Sequence, residues 1–367
     1  MNTLFKAGSI GGMKLNNRLV RSATWEGMCD PDGRPTAKLI RYYDNLAKGG
    51  IGLIISGYTY VQLEGKQNPG KMGLYSDEFA MEFKELTRAV HDAGCKIAIQ
   101  LVHAGGQANS KISGSTPVAP SAIEAAQYSE KPLQLTEPQI HDIVQAFGKA
   151  ALRAKQYGFD AVQIHGAHGY LINQFLSPLT NQRTDKYGGS VENRCRFLME
   201  VYDKIREMVG KNFPVFIKLN AADYLENGLE LEDALFAAKM LSQKGIDAIE
   251  VSAGTGASKK KSPVRIKIDQ PEKEAYNLKV CLAVKNVVTC PVIAVGGFRS
   301  HEVSLQAIEE HGVDFISFSR PLIREPDLPL RWQRGDIKSA ACISCNACFK
   351  PGYFKGGIYC VAKDKEK

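Results

Sequence analysis

Eight short apolar segments alternate with helix-like patterns along the chain, and this alternation predicts a (β/α)8 barrel, the TIM-barrel type of α/β fold. Two further observations support the prediction. The segments are apolar along nearly their whole length, as parallel strands buried on both faces require. The 367 residues exceed the ~250 residues that are typical of such a barrel. The alternative, an open doubly wound sheet, predicts a Gly-x-Gly-x-x-Gly turn after the first strand, and the sequence has none there.

The predicted strands are spread over residues 19–320. They are "LVRSAT" from Leu19, "IGLIISG" from Ile51, "KIAIQLV" from Lys96, "DAVQIHG" from Asp160, "VFIKLN" from Val215, "AIEVSAG" from Ala248, "PVIAVGG" from Pro291 and "FISFSR" from Phe315. The stretches between them carry helix signals. The helix before the fourth strand is expected to begin at a Thr136 cap, with Pro138 in its first turn, and to stop at Gly158.

The barrel is predicted to be a single domain over residues 1–331, with a short cysteine-containing appendage over residues 332–367. The longest irregular stretch, residues 103–135, follows the third strand. We therefore expect it to lie over the C-terminal mouth of the barrel, where this fold places its active sites.

Composition and charge exclude several classes of function. The chain is 44% hydrophobic and 23% charged, its mean hydropathy is −0.22, and no apolar run approaches the roughly 18–20 residues of a membrane span. The first residues lack the pattern of a signal peptide, so we expect a cytoplasmic protein without a membrane partner. The net charge of +8 includes one basic run, Lys259–Lys261, but no nucleic-acid-reading element is present. Phosphate-bearing ligands are compatible with this charge.

Polar side chains and glycines collect at the predicted C-terminal ends of the strands, where barrel enzymes carry out their chemistry. So many polar groups would be costly to bury without a ligand or one another as partners. They are Thr24, Trp25, Gly57, Gln100, His103, His165, His168, Tyr170, Lys218, Ser252, Gly254, Gly296, Gly297, Ser319 and Arg320.

The last two predicted strands end in "VGGF" and "SRPL", and together these endings predict a phosphate site. Loops after strands seven and eight commonly hold a phosphate in this fold. Gly297 allows close backbone approach, and the planar guanidinium of Arg320 can donate paired hydrogen bonds to one anion. A tight turn beside a surface arginine is the alternative interpretation.

Lys218 ends an otherwise apolar strand, and a lysine is rarely a packing residue at such a position. Its amine could form a Schiff base, as in phosphate-binding aldolases. It could instead place a fixed positive charge beside an anionic ligand. The residues alone leave both roles open.

The segment "QIHGAHGY" places His165, His168 and Tyr170 within six residues after an apolar run. Two imidazoles could bind zinc, but zinc normally needs three or four protein ligands, and only His103 could add another. The imidazole N–H groups could instead converge on one carbonyl oxygen, with the phenol as a proton donor. We favour this oxyanion clamp over a metal site or a purely structural role.

The stretch from His165 to Phe197, "HGAHGYLINQFLSPLTNQRTDKYGGSVENRCRF", closely resembles the signature of the Old Yellow Enzyme family of FMN-dependent ene-reductases. The resemblance extends from Leu4 to about Trp332. It includes "LNNRLVRSAT" at the first strand, "IQLVHAGGQ" at the third, and "PVIAVGG" and "FSRPL" at the last two.

The resemblance implies that FMN lies across the barrel mouth with its phosphate in the loops after strands seven and eight. NAD(P)H would reduce the flavin, and hydride would then pass from flavin N5 to the β-carbon of an α,β-unsaturated carbonyl substrate, a small-molecule enone or enal. His165 and His168 match the pair that holds the carbonyl oxygen, and Tyr170 matches the donor of a proton to the α-carbon. The matching cofactor-binding positions are Ser22, Ala23, Thr24, Gly57, Gln100, Lys218, Gly296, Gly297, Ser319 and Arg320.

Three positions depart from the family pattern. Ala23 stands where a proline is usual. Trp25, which matches a substrate-binding position, replaces a threonine or cysteine that tunes the flavin, so we expect a narrower pocket. Lys218 replaces the usual arginine beside flavin N1 and O2, which keeps the positive charge but loses the bidentate geometry.

Two other functions stay open at this point. One is a phosphate-binding lyase or aldolase that uses Lys218, and the other is a flavin-binding partner protein with low turnover. Members of the resembled family often form dimers or tetramers, so a homo-oligomer is expected.

The tail reads Cys342-x2-Cys345-x2-Cys348-x11-Cys360 and resembles the iron–sulfur segment of the 2,4-dienoyl-CoA reductase branch of the family. That branch has one more residue between the second and third cysteines. Four thiolates at this spacing can collect around a 4Fe–4S cluster or a zinc ion. A remnant that binds no metal is the third alternative.

Overall fold

Eight parallel strands close into a barrel in the computed structural model, which describes residues 2–365. The strands are β1 (Leu19–Arg21), β2 (Leu53–Ile55), β3 (Lys96–Val102), β4 (Ala161–Gly166), β5 (Val215–Asn220), β6 (Ile249–Ser252), β7 (Val292–Val295) and β8 (Phe315–Phe318). Each strand pairs with the next along the chain, and β8 pairs with β1, so the ring is closed. Every strand lies inside one of the eight predicted segments, and the TIM-barrel prediction is confirmed.

Helices on the outside of the barrel connect successive strands or follow the last one. They are α1 (Ala37–Lys48), α2 (Ala80–Asp92), α3 (Glu137–Gln156), α4 (Val191–Val209), α5 (Leu231–Gln243), α6 (Leu278–Lys285), α7 (His301–Glu309) and α8 (Leu328–Gln333). Helix α3 begins as predicted, because the Thr136 hydroxyl accepts from the Gln139 N–H while the Gln139 side chain accepts from the Thr136 N–H. No helix within residues 2–365 is both long and apolar enough to cross a membrane.

Short elements complete the fold at the two ends of the barrel. The short strands are Gly8–Ile10 paired with Met13–Leu15, Thr59–Tyr60 paired with β3, and Val118–Ala119 paired with Leu133–Gln134. The short helices are Ser110–Ser113, Leu171–Leu176, Arg320–Arg324, Lys350–Phe354 and Val361–Asp364.

The interior of the barrel changes from apolar to polar along the strands. Near the strand starts, buried side chains such as Phe216 and Ala248 pack with one another and with the hairpin of residues 8–15. Because alternate residues of a strand share a face, Lys218 follows Phe216 and Glu250 follows Ala248 on the inward side. The fold therefore brings buried charges to the end of the barrel where the predicted site residues lie.

The tail over residues 332–365 packs against the mouth of the barrel. The Ile358 N–H donates to the Glu26 carbonyl oxygen at 2.8 Å, and the rings of Tyr353 and Trp25 are 4.5 Å apart between centroids. These contacts join the tail to the loop after β1, so the predicted appendage forms part of the mouth.

Candidate active site

The C-terminal ends of the strands surround a cavity of about 470 Å³, and a smaller cavity of about 90 Å³ adjoins it. Of the predicted residues, those that line the larger cavity are Ala23, Thr24, Trp25, Gln100, His165, His168, Tyr170, Lys218 and Ser319. The smaller cavity adds Ser22, Gly296, Gly297 and Arg320. Gly57 lines neither cavity and lies behind the wall, where its N–H donates to the Tyr43 hydroxyl at 2.9 Å. The structure thus brings together all the predicted catalytic, cofactor-binding and substrate-binding residues except Gly57.

Strand register places three ionisable side chains next to one another. His165 on β4 is the partner of Lys218 on β5, and Lys218 is the partner of Glu250 on β6. His168 follows in the loop after β4, and its ring centroid is 5.2 Å from that of His165. The φ of His168 is 64°, a left-handed conformation that is uncommon outside glycine and clusters at functional sites.

Both imidazoles are neutral at pH 7. Burial lowers the pKa of His168 to about 3, and burial followed by the charges of His168 and Lys218 lowers the pKa of His165 well below its usual value. His165 Nδ1 accepts from the Ala167 N–H at 3.3 Å, so the proton of the neutral ring is on Nε2. His168 Nε2 lies 2.7 Å from the Ser252 hydroxyl. If that nitrogen accepts from Ser252, the His168 proton is on Nδ1.

Two phenols lie side by side at the larger cavity. The ring centroids of Tyr170 and Tyr58 are 5.3 Å apart, and their hydroxyls donate to the same Gln67 oxygen at 2.8 and 3.4 Å. Burial raises the pKa of Tyr170 to about 12 and that of Tyr58 well above its usual value, so both are protonated at neutral pH. The sequence analysis missed Tyr58, although it directly follows Gly57 at a strand end, where the same reasoning could have found it.

A buried amine lies against the two phenol rings. Lys71 is 1% exposed, and its Nζ is 3.9 Å from the centroid of Tyr58 and 5.6 Å from that of Tyr170. Among the described residues this amine has no hydrogen-bond partner. Burial, followed by the positive charge of Lys66, lowers the pKa of Lys71 well below its usual value. The faces of the two phenol rings therefore lie against an amine that is harder to protonate than an exposed lysine.

Glu250 joins five parts of the barrel beneath the cavity and is fully buried. One carboxylate oxygen accepts from the Ser22 hydroxyl at 2.7 Å and from the Ser317 hydroxyl at 3.0 Å. The other accepts from the Gln163 amide at 2.7 Å and lies 3.4 Å from Lys218 Nζ. Lys218 also donates to the Ser22 hydroxyl at 2.9 Å. One carboxylate thus connects residues from β4, β5, β6 and β8 with the end of β1.

The contact with Glu250 bears on the two roles left open for Lys218. Burial lowers the pKa of the Lys218 amine, and the negative charge of Glu250 opposes that shift. A carboxylate partner favours the protonated amine, which supports the fixed-charge role over the Schiff base. The sequence analysis missed Glu250, although a charge inside the apolar segment "AIEVSAG" is the same signal that identified Lys218.

Gln100 presents an unsatisfied acceptor at the larger cavity. Its Nε2 donates to Gln163 at 2.6 Å, whereas its buried Oε1 has no partner among residues 2–365. An unpaired buried acceptor costs about 1–3 kcal/mol unless a ligand donates to it. The pyrimidine edge of a flavin offers such a donor, so this end of the site fits FMN.

The smaller cavity fits the phosphate end of FMN. Gly297 has a φ of 79°, and a Cβ there would lie 2.8 Å from the Tyr276 ring, so glycine is required. Arg320 is 7% exposed and donates to the Asn346 side chain at 2.6 Å. The interpretation of Arg320 as a surface arginine is therefore wrong, and a buried guanidinium beside a glycine turn suits an anion.

Residues of the tail complete the larger cavity, which the sequence analysis did not foresee. Asn346, Phe349 and Tyr353 line it, and Tyr353 packs against Trp25. The indole N–H of Trp25 donates to the Pro69 carbonyl at 3.2 Å, so the ring is fixed in place. The aromatic pair forms part of the cavity lining, and the narrower pocket expected from Trp25 stays a prediction.

The four tail cysteines line one small cavity together with Arg320. They are Cys342, Cys345, Cys348 and Cys360. Within residues 2–365, however, no group of three or more histidine, cysteine, aspartate or glutamate side chains is arranged to hold a metal ion. The structure brings the four thiols to one place but does not build a metal site from them.

Fold and site together define a flavin-binding TIM-barrel oxidoreductase, since both ends of the mouth fit FMN and the wall between them offers proton donors. The chain belongs to the NADH:flavin oxidoreductase / NADH oxidase family, whose model matches residues 3–338. It is thus a member of a family of NAD(P)H-dependent flavin oxidoreductases, and the resemblance to Old Yellow Enzymes is confirmed.

Similar proteins agree with this assignment. An NADPH dehydrogenase of Halalkalibacterium halodurans is 38% identical over 89% of this chain and 92% of its own length. An NADH oxidase of Thermoanaerobacter brockii is 39% identical over 94% of this chain, but this chain spans only 52% of that relative. Among solved structures, an Old Yellow Enzyme homologue from Zymomonas mobilis has a TM-score of 0.79 at 31% identity, covering 96% of this chain and 98% of its own. A complex of 2-naphthoyl-CoA reductase with 2-naphthoyl-CoA has a TM-score of 0.89 at 30% identity, covering 98% of this chain and 56% of its own.

Replacing Glu250 by Gln should lower the free energy of unfolding of the flavin-loaded protein by about 3–5 kcal/mol, because the Lys218 amine is left buried without its counter-charge. Urea unfolding followed by circular dichroism measures the change. The matched control is Asp203→Asn, which breaks the exposed pair with Lys244 at 2.8 Å and should cost less than about 1 kcal/mol. Equal small losses in the two variants would contradict a central role for Glu250.

The buried histidines should make the protein less stable as the pH falls below about 6.5. An unfolded histidine takes up a proton near pH 6.5, whereas His168 in the folded state does so only near its pKa of about 3. His168 therefore steepens the loss of stability by about 1.4 kcal/mol per pH unit between those two pKa values. His168→Asn should reduce the slope of unfolding free energy against pH between pH 4 and 6, and the exposed His141→Asn should not. An unchanged slope in His168→Asn would show that this ring is not held neutral.

Proposed function

We propose that the chain is an FMN-dependent ene-reductase, which uses NAD(P)H to reduce the C=C bond of α,β-unsaturated carbonyl compounds. The observation that carries this proposal is the position of His165, His168 and Tyr170 on one cavity that fits a flavin. All three side chains are uncharged at neutral pH. They can therefore donate hydrogen bonds or a proton to an oxygen or carbon that becomes negatively charged.

FMN, when bound, supplies the hydride that the β-carbon of the substrate receives. The unpaired oxygen of Gln100 would accept from the flavin pyrimidine edge, and Lys218 would lie beside the flavin N1 and O2 atoms. The turn at Gly296 and Gly297 and the Arg320 guanidinium would hold the phosphate. Ser22, Ala23, Thr24 and Ser319 line the same two cavities and support the cofactor site. Gly57 lines neither cavity and stays a cofactor-binding position that only the resemblance implies.

The two imidazoles would hold the substrate carbonyl oxygen. With His168 Nε2 accepting from Ser252, the donors that the neutral rings would offer are His165 Nε2–H and His168 Nδ1–H. Because burial holds both pKa values low, the rings donate hydrogen bonds without releasing or gaining a proton during the reaction. Fixed donors aimed at developing negative charge are each worth about 10²–10³ in rate.

Tyr170 would protonate the α-carbon after hydride reaches the β-carbon. Its pKa of about 12 keeps the phenol protonated until a strong base, the developing enolate, is present. The hydroxyl donates to Gln67 at 2.8 Å, so transfer of its proton to the α-carbon would require this hydrogen bond to break. General acids in such positions contribute about 10²–10⁴ in rate.

The cavity favours flat, apolar substrates. Trp25 and Tyr353 form one wall, and Tyr58 forms part of another. Similar proteins carry names with different substrates, among them morphinone reductase and histamine dehydrogenase. The substrate class proposed here rests on the site of this chain, because the family includes several.

We further propose that residues 1–331 act as the FMN-binding barrel and that residues 332–367 act as a cysteine-rich appendage to it. Support comes from the contacts that join the tail to the mouth; residues 366 and 367 lie outside the described part. A homo-oligomer stays a prediction.

Tyr170→Phe should slow reoxidation of the reduced flavin by 2-cyclohexenone about 100-fold or more, because the α-carbon loses its proton donor. Flavin reduction by NAD(P)H should stay within about twofold, because it needs no such proton. Stopped-flow absorbance under anaerobic conditions measures the two half-reactions separately. Tyr58→Phe is the matched control, since it removes the neighbouring phenol and should slow neither half-reaction more than about tenfold. Equal slowing of both half-reactions in Tyr170→Phe would contradict the role of this residue.

A 4Fe–4S cluster in the tail stays a prediction of the resemblance. It requires about four irons and four sulfides per chain in anaerobically purified protein. Chemical analysis of iron and sulfide tests this directly. Cys345→Ser should lower both contents, whereas Cys290→Ser, which lies outside the tail cavity, should change neither. Wild-type protein with full flavin and no iron would show that the prediction is wrong.

A further inference from the structure

The connection between β6 and α6 borders a large groove beside the active site. The groove has a volume of about 930 Å³, and its lining is rich in cations. The cationic lining residues are Lys259, Lys260, Arg265, Lys267 and Lys273. The first two belong to the basic run that the sequence analysis noted and that the proposed oxidoreductase function does not use.

The groove carries more positive than negative charge, because five cationic side chains line it and only two acidic ones, Glu272 and Glu274, are found among its described lining residues. Lys259, Lys260 and Lys267 are exposed and have no ion pair within residues 2–365. Lys273 is the exception, since it pairs with Asp269 at 2.5 Å. A concave surface with an excess of one charge concentrates its electric field and attracts ligands of the opposite charge.

The acidic side chain of Glu274 also lines the groove but is engaged elsewhere. Its carboxylate accepts from the Arg299 and Ser300 N–H groups at 2.7 and 2.8 Å and from the Ser300 hydroxyl at 2.6 Å. It is buried by these contacts. Of the two acids in the described lining, this leaves the exposed Glu272 to offset the cations, so the groove has an excess of positive charge.

Apolar and planar groups lie among the cations. Val264 and Ile266 are 38% and 56% exposed, and the Arg265 guanidinium lies 4.2 Å from the centroid of the Tyr276 ring. A free inorganic anion would gain nothing from exposed aliphatic side chains. A base and ribose attached to phosphates would cover them.

The groove lies next to the active-site cavity. Ser262, Val264 and Asn346 line both. A ligand with a long arm could therefore place its reacting end against His165 and Tyr170 while its phosphates lie among the lysines.

We propose that the groove binds the adenosine–polyphosphate arm of a ligand whose reacting end enters the active-site cavity. This chemistry has two sources: the NAD(P)H reductant, and a coenzyme A thioester of an α,β-unsaturated acid as substrate. The inference deepens the proposed function and rests on it for the reacting end only. A related structure holds 2-naphthoyl-CoA, which shows that a fold of this type accommodates such a thioester.

The test uses the flavin-loaded full chain with Lys259, Lys260 and Lys267 all changed to Glu. Isothermal titration calorimetry measures the Kd of coenzyme A and of NADP⁺ without turnover. The control changes Lys84, Lys149 and Lys239 to Glu, which alters the net charge equally but lies on the outer helices α2, α3 and α5. The groove variant should weaken one or both probes by about tenfold or more, and the control by less than about threefold.

The outcome also assigns the source. Weaker binding of NADP⁺ alone assigns the groove to the reductant, and weaker binding of coenzyme A alone assigns it to a thioester substrate. Weaker binding of both NADP⁺ and coenzyme A supports a groove that binds the adenosine–polyphosphate arm of either ligand. Equal effects in the groove and control variants, or no binding of either probe by wild-type protein, would overturn the proposal. Reduction of 2-cyclohexenone by dithionite-reduced protein tests the proposed function separately, because this substrate has no phosphate arm; its rate should be unchanged in the groove variant.

Discussion

The buried carboxylate of Glu250 is the charge on which the mouth of the barrel depends. It lies where the interior changes from apolar to polar, and its oxygens accept from side chains of three other parts of the ring. A charge in this position is costly to bury, so it needs the Lys218 amine and every one of these donors. Through these contacts the carboxylate fixes the positions of the Ser22, Gln163 and Lys218 side chains. A flavin laid over this layer would meet side chains whose positions are already determined.

The same pair limits how much positive charge the protein presents to its cofactor. Lys218 replaces an arginine of the resembled family, and its amine lies 3.4 Å from Glu250 and 2.9 Å from the Ser22 hydroxyl. An ion pair has a weaker field at a distance than a lone cation does. The positive potential at a flavin bound beside Lys218, as proposed, would therefore be smaller than Lys218 alone would provide. The two neutral imidazoles next to it add donors without adding charge, so under the proposed function an enolate would be stabilised mainly by directed hydrogen bonds.

Much of the fold and many of the site residues could be predicted because their signals are local. Each strand is apolar over its own length, and a barrel brings all the strand ends to one mouth, which is how His165, Lys218 and Arg320 were placed together. Glu250 and Tyr58 carried the same kind of signal and were overlooked. The rest could not be read in this way. No periodicity or motif indicates that a tail more than 300 residues from the first strand end returns to it, because that contact depends on the shape of two distant surfaces.

Because the tail contacts the end of the first strand, a boundary near residue 331 does not separate two independent sets of site residues. Arg320 belongs to the barrel, but its guanidinium donates to Asn346 of the tail. The same side chain lines both the smaller active-site cavity and the cavity of the four tail cysteines. Asn346 in turn lines the active-site cavity and the cationic groove. The 2.6 Å hydrogen bond between Arg320 and Asn346 therefore connects three places. They are the proposed phosphate site, the proposed substrate site and the cavity lined by the four tail cysteines. Any group that occupied the cysteine cavity would act on Arg320, and through it on the phosphate end of the flavin site. The tail lies outside the barrel in sequence, but its side chains line the same cavity as the site residues of the barrel.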